Sequence, residues 1–506
     1  MKREEVDLAA QSTQRSKGSR LGWLNRWHKK LAWVAGIAVI FWGLTGVLHP
    51  IMSALSPKVQ PLPAPAALPA DLHPVTLHSL QLPAGQIQSA RLRMLGEQPA
   101  WRIGLQGQAS GLWYDAQNGK LLVNADAAEA ERLARALVGD MQSPIARITP
   151  ITEFSRSYPA INKMLPVWRV EFARDDGMVA FVDTEGRRLA SLSDQTKRSL
   201  MPVFSLLHTW SWASEPVKKV GITLVLGIAL LSMLGGLWMY WLRYRMGTLR
   251  SEQPRLRRLH RALGLGAGVA GLVITVSGLT HLWLQAAPFQ AAKAQPLAQL
   301  PDLHHIPPGV AVLTAVNVAG KGYWLVEHAK KELQGNTPVS AHQHHASIAP
   351  SQLPDYLDAH GQPQPGLAQI HAMQLVRQLA PHDATVQNAS VSKVSLISQF
   401  GGEYGFFQKR LPVYRVDLAL PDQPSWYVEP ATGTFSTRVD NADRFEGYLF
   451  ANLHKWHWLD GLGKTSRDVI LAGFAAVNVL LAVMGLCLLR RAKGRAGGRA
   501  GGRASR

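Results

Sequence analysis

The 506-residue chain has a single cysteine, Cys487, and it falls inside an apolar run. That excludes an internal disulfide and any cysteine-based zinc or iron–sulfur site, so any external domain must hold together by packing. Acid is the second shortage, with 34 Asp and Glu against 54 Lys and Arg. No Ser-His-Asp arrangement, phosphate-binding glycine loop or HExxH motif is evident, and hydrolysis therefore has no support.

Uncharged length, by contrast, is plentiful. Four stretches, roughly 31–48, 220–242, 262–284 and 469–489, carry almost no charge. Each is about long enough to cross a ~30 Å hydrocarbon core at ~1.5 Å per residue. The net charge of +20 lies almost wholly in residues 1–30, 243–261 and 490–506, which together hold +18. In a four-span topology these segments share one side, and the positive-inside rule makes that side cytoplasmic. The basic excess therefore reads as membrane-facing, with the lipid bilayer as partner and no nucleic acid. The expected organisation is a disordered cytosolic N-terminus at 1–20, spans at 21–49, 216–242, 258–285 and 453–490, a basic loop at 243–257 and a basic tail at 491–506. Two external domains, 50–215 and 286–452, would then lie in the periplasm of a Gram-negative cell, with both termini cytoplasmic.

The chain also contains itself twice. Shifting RWHKKLAWVAGIAVIFWGLTGVLH (26–49) by 232 gives RLHRALGLGAGVAGLVITVSGLTH (258–281) and places His28 on His260, Gly36 on Gly268, Gly46 on Gly278 and His49 on His281. A shift of 246 places LHTWSW (207–212) on LHKWHW (453–458), with His208 on His454, and ITEFSRSYPAINKMLPVWRVEF (151–172) on ISQFGGEYGFFQKRLPVYRVDL (397–418). The second half has therefore gained about 14 residues, most simply in the His-rich stretch 328–360. This internal twin also argues that the first apolar stretch is a retained helix and not a cleaved signal. Each half reads as span, external α+β domain, span. Both halves begin and end inside, which makes them parallel repeats. Within the first domain LRMLG, AWRIGLQ and GLWYDAQNGKLL read as strands, with an Asn118-Gly119 turn, and 125–139 has helical apolar spacing.

LPVWRV with FVDTEG, and LPVYRV with WYVEPATG, resemble the PepSY domain. The repeated His- and Gly-bearing helices resemble the PepSY-associated transmembrane family, and the resemblance runs from about residue 20 to 490. It implies a membrane α-helical fold with four transmembrane helices as two parallel repeats, each carrying an external α+β PepSY-like domain. The family includes iron-regulated inner-membrane proteins and siderophore-iron reductases that carry haem b. Some members have a fused flavin-reductase domain; cytosolic segments of about 20–30 residues are too short for one here.

On that resemblance the histidines are expected to hold one or more haem b groups. Bis-histidine ligation leaves no open iron position, so such a haem carries electrons. His28 and His260 form the inner candidate pair. On the outer side His49, His281, His208 and His454 compete, with the unpaired His457 peripheral or an extra ligand. His28 and His49 are 21 residues apart, about 31 Å of helix rise. His342, His344 and His345 are either an external metal site or part of a solvated loop. Gly36, Gly46, Gly268 and Gly278 would admit a macrocycle or a second helix. Trp33 and Trp42 read as core or lipid-facing, and Trp210, Trp212, Trp456 and Trp458 as an interfacial belt. The expected function is electron transfer from a quinol or a cytosolic reductase to a ferric siderophore or another ferric complex. The alternatives are a cofactor-free envelope protein that binds a partner, and a metal-uptake accessory; the spans lack the acidic residues a metal relay would use.

Overall fold

The structure is a computed structural model that describes residues 2–80, 82, 87–108, 110–249, 254–285, 287–329 and 352–501. The α-helices are α1 (Lys2–Leu55), α2 (Ala125–Val138), α3 (Gln195–Leu207), α4 (Glu215–Arg245), α5 (Arg255–Leu284), α6 (Leu367–Leu379), α7 (Ala384–Asn388), α8 (Asn441–Leu449) and α9 (Lys464–Gly501). The chain divides into two units, one of residues 1–56, 196–286 and 445–506, the other of 57–195 and 287–444.

The first unit is a helix bundle. Four helical stretches, Arg20–Leu55, Glu215–Arg245, Arg255–Leu284 and Lys464–Arg491, are long and apolar enough to cross a membrane. α1 packs on α4 and α9, and α5 packs on the same two helices, so α1 and α5 stand across the bundle from each other. Close approach depends on glycine. A Cβ on Gly43 would lie 2.6 Å from Val479 Cγ2, and one on Gly36 would lie 3.1 Å from Leu486. Val34, Ile37, Phe41 and Leu44 of α1 are exposed at helical spacing, an apolar stripe suited to lipid.

Two boundaries differ from the sequence expectation. Residues 1–20 were expected to be disordered, yet α1 continues back to Lys2. The Glu, Ala, Gln and Arg content of residues 2–20 favours helix, and no proline falls among them. The last span was expected from 453, but α9 begins at Lys464. Before it come a π-turn at Phe450–His454 and a 3₁₀ turn at His457–Leu462, separated by Trp456 at φ 56° and ended by Gly463 at φ 85°. Those left-handed residues stop an α-helix, and an apolar, aromatic sequence does not reveal them.

The second unit is α+β. The strands are β1 (Ile87–Leu95), β2 (Gln98–Leu105), β3 (Leu112–Asp115), β4 (Ile145–Ile151), β5 (Val167–Phe172), β6 (Val179–Asp183), β7 (Arg188–Ser193), β8 (Val310–Val318), β9 (Lys321–His328), β10 (Tyr356–Leu357), β11 (Val391–Ile397), β12 (Val413–Leu418), β13 (Ser425–Val428) and β14 (Phe435–Val439). They form a six-stranded sheet of order β10-β9-β8-β1-β2-β3 and two four-stranded sheets, β4-β5-β6-β7 and β11-β12-β13-β14. Antiparallel pairing of β1 with β8 joins the two chain halves at the centre of the large sheet. Trp101 and Trp324 are fully buried in its core, with ring centroids 5.5 Å apart. α2 buries Ala130, Leu133, Ala134 and Leu137 against β5 and β6, as its helical spacing dictates. The two small sheets share a local device: Tyr158 donates to the Met164 carbonyl at 2.9 Å and Tyr404 to the Arg410 carbonyl at 2.7 Å.

With no disulfide, buried charge ties this unit together. The Asp126 carboxylate accepts from Trp113 Nε1 and Trp168 Nε1, both at 2.8 Å, from Gly111 N at 2.9 Å and from Arg102 Nε at 3.1 Å. Glu429 pairs with Arg410 at 2.9 Å and with Arg188, which also holds Asp183 at 2.8 Å. Burial alone would push the Glu429 carboxyl up; Arg188 and Arg410 outweigh it and hold the carboxyl at about 2. A depressed carboxyl pKa means that the unfolded chain binds the proton first as pH falls. The pair's contribution, about 3 kcal/mol, is therefore complete above the ordinary glutamate range and is lost between about pH 4.5 and 2. Thermal melts of the full chain should steepen in acid, and Glu429→Gln should lower stability at pH 7 by about 3–5 kcal/mol while flattening that acid limb.

Candidate functional site

The recurring histidines gather in the helix bundle, at its two ends. At the basic end, His28 of α1 lies against α4. Its Nδ1 donates to the Ser232 carbonyl at 3.0 Å, with Ser232 Oγ at 3.3 Å. The ring lies beside Gly236, where a Cβ would be 3.5 Å from His28 Cε1, an ordinary contact. His260 of α5 lies against α9 in the same way. Its buried Nδ1 faces the Leu481 carbonyl without a hydrogen bond, and a Cβ on Gly485 would be 3.3 Å from Cε1. Across the bundle the two imidazoles are electrostatic neighbours. An Nδ1–H directed at a carbonyl fixes the tautomer that leaves the Nε2 lone pair available.

At the opposite end, His208 and His454 precede α4 and α9 and do not lie on them, although the last span was expected to include His454. Thr45 Oγ1 donates to the Phe41 carbonyl at 2.9 Å and lies 2.9 Å from His208 Nδ1, which makes Nδ1 the donor in that contact. His454 Nδ1 donates to the Ile274 carbonyl at 3.3 Å, and a Cβ on Gly278 would sit 3.5 Å from its Cε1. His208 and His454 are again electrostatic neighbours. His49 and His281 are electrostatic neighbours of His208 and His454 as well, each with a phenyl ring in contact with both members of its pair. Phe204 lies 5.6 Å from His49 and 4.7 Å from His208, while Phe450 lies 4.0 Å from His281 and 4.7 Å from His454. His281 Nδ1 also meets Glu446 Oε1 at 2.5 Å.

The bundle interior has unfilled capacity. Gly268 is buried, yet a Cβ added to it would meet nothing within 4 Å, and the same holds for half-buried Gly46. Ser277 Oγ is buried without a partner. A haem supplies bulk for such space and an iron for available imidazole nitrogens, so these residues fit the group the sequence pointed to.

The remaining candidates fall elsewhere. His457 is buried and bonded to Asp460 and Arg467 at 2.8 and 2.7 Å, in an ion cluster. Trp42 stacks on Trp210 at 5.8 Å and donates to the His208 carbonyl at 3.1 Å. Trp210 also stacks on Trp212 at 5.8 Å, and Trp456 tilts on Trp458 at 6.0 Å. His342, His344 and His345 lie outside the described residues. His328 pairs with Asp355 at 2.9 Å, and among the described residues no three His, Cys, Asp or Glu side chains converge on one metal position. Sequence reading missed Ser232, Thr45, Phe204, Phe450 and Glu446. The 246 shift places Phe204 on Phe450, a signal available but unused. Glu446 falls on Leu200, so no repeat marks it.

The family described as the PepSY-associated TM region matches residues 26–394, and the chain belongs to it. No curated protein and no solved structure matches the chain.

Proposed function

We propose that this member of the PepSY-associated TM family is an inner-membrane electron carrier with two haem b groups, one on His28 and His260 and one on His208 and His454. In this reading the chain is two parallel repeats, with both termini and the basic segments cytoplasmic and the α+β domains periplasmic. The external acceptor is a ferric siderophore or another ferric complex, and the donor is a quinol or a cytosolic reductase. The observation that carries the reading is the repeated imidazole setting. His28, His208 and His454 each commit Nδ1 to a carbonyl or hydroxyl acceptor, and glycines 236, 485 and 278 lie against the rings of His28, His260 and His454.

Bound haem supplies reversible one-electron chemistry at an iron closed to other ligands. The protein's share is orientation. Ser232, Thr45 and Ile274 fix the imidazole tautomer, and the glycines set how far each ring recedes into its neighbouring helix. His49 and His281 are left out of the ligand set because each contacts a phenyl ring that in turn stacks on the nearer histidine. One-electron reduction of Fe(III) weakens its hold by oxygen donors, which is how such a carrier releases iron from a chelate.

The test is absorbance of the purified full chain expressed with ample haem. The expected result is a reducible haem-b spectrum that falls to about half its intensity in His28→Ala or His260→Ala, and likewise in His208→Ala or His454→Ala, with His49→Ala and His281→Ala retaining full haem content. A colourless wild-type protein overturns the reading, and loss of haem in His49→Ala or His281→Ala overturns the ligand assignment.

A further inference from the structure

The two histidine–phenyl contacts differ: His281 stacks on Phe450 at 22°, whereas His49 is tilted 50° to Phe204. In the second half His281 Nδ1 is hydrogen-bonded to Glu446 of α8 at 2.5 Å; in the first half the 246 shift puts Leu200 where Glu446 stands. The His281 and Glu446 side chains are 33% and 14% exposed, a half-sheltered carboxylate–imidazole pair. Charged neighbours lie inward, with Lys455 beside Glu446 and 5.1 Å from the Phe450 ring, while the outward residues are apolar. Phe445 and Tyr448 beside Glu446, and Trp283 and Leu284 beside His281, are all exposed. The His281 ring lies 4.0 Å from Phe450 at an interplanar angle of 22°, and Phe450 lies 4.7 Å from His454 at 15°. A proton-accepting pair thus stands at a lipid-suited surface, one phenyl ring from His454. A carboxylate in such a place is costly and calls for a function.

We propose that the His281–Glu446 pair is the recognition site of a lipid-borne hydroquinone, which rests on the electron-carrier reading above. A hydroquinone has an apolar ring that partitions into this surface and O–H groups that need an acceptor at its edge. Glu446 supplies the acceptor, and His281 orients it and shares the proton. Oxidation to the quinone breaks two O–H bonds. Both protons pass to the pair and on to water, and with haem bound the two electrons would leave past Phe450 toward the group that His454 would hold, as two one-electron reductions of ferric iron. A donor of two electrons is matched by two one-electron sites. The Leu200 half lacks the acceptor and takes no part.

The test uses Glu446→Leu, which installs the residue found at the matching place in the other half. Binding of a fluorescent hydroxyquinoline N-oxide, a hydroquinone mimic, to the full chain should saturate in wild type and weaken at least about tenfold in the variant, whether or not haem is present. In nanodiscs, reduction of the loaded protein by a short-chain hydroquinone should slow by about a hundredfold, the scale of a lost general base, while dithionite reduction and haem content stay unchanged. His281→Asn serves as a second variant and should slow the same step. Unchanged mimic binding and unchanged hydroquinone rate overturn the proposal. So does a variant defective only in re-oxidation by a ferric complex, which would place the acceptor there instead. A protein without haem that still binds the mimic in a Glu446-dependent way sinks the carrier reading and not the site.

Discussion

An imidazole inside an apolar helix bundle must satisfy one ring nitrogen from within, and the geometry of the candidate site depends on that constraint. Water is absent from hydrocarbon, so an unpaired Nδ1–H there would cost several kcal/mol. The bundle answers with helix carbonyls that already accept one bond and have a lone pair to spare: Ser232 for His28 and Ile274 for His454. Reaching a carbonyl on a neighbouring helix brings the ring up to that helix's backbone, where a small residue packs against it. Hence the glycines at 236, 485 and 278, each facing an imidazole Cε1. The tautomer follows from the hydrogen bond, and the available Nε2 follows from the tautomer. His260 departs from the scheme, since its Nδ1 faces Leu481 without bonding it.

The α+β unit solves a related problem with different means. It buries carboxylates without disulfides to brace them, and each buried acid is surrounded by donors. Asp126 has two indole N–H groups, a backbone N–H and a guanidinium, and Glu429 has two guanidinium groups. Removing one partner from such a cluster leaves a buried charge exposed to low dielectric, so the clusters behave as units. Arg188 and Glu429 come from different halves of the chain, as do the paired strands β1 and β8. The unit is held by contacts between its halves as well as within them.

Much of this was readable in the sequence, because a duplication exposes what both copies share. The four apolar stretches, the α2 spacing and the matched histidines all came from periodicity or from a constant shift. What escaped had physical reasons. LHTWSW and LHKWHW look like the start of a span, since apolar and aromatic composition cannot distinguish a helix from a turn with left-handed residues. Trp210 at φ 50° and Trp456 at φ 56° mark where the backbone departs from helix. The carbonyl partners of His28 and His454 are backbone atoms and leave no trace in residue identity. Glu446 was missed for the opposite reason: comparing halves rewards sameness, and this residue matters through being different.

The placement of His208 and His454 also changes a distance that counted against electron transfer along the bundle. Ligands at His28 and His49 would lie about 31 Å apart along one helix, too far for a direct step at a useful rate. The residue that holds His208 is Thr45, four positions earlier, so the same helix rise from His28 falls to about 26 Å. Gly36 packs closely on Leu486, whereas Gly268 is buried beside space that a Cβ would not fill, which puts spare volume on α5 between the two ends. A bundle that only needed to pack would have filled that volume with a larger residue, because an unfilled cavity costs stability. In the proposed carrier reading, that volume is space for bound haem.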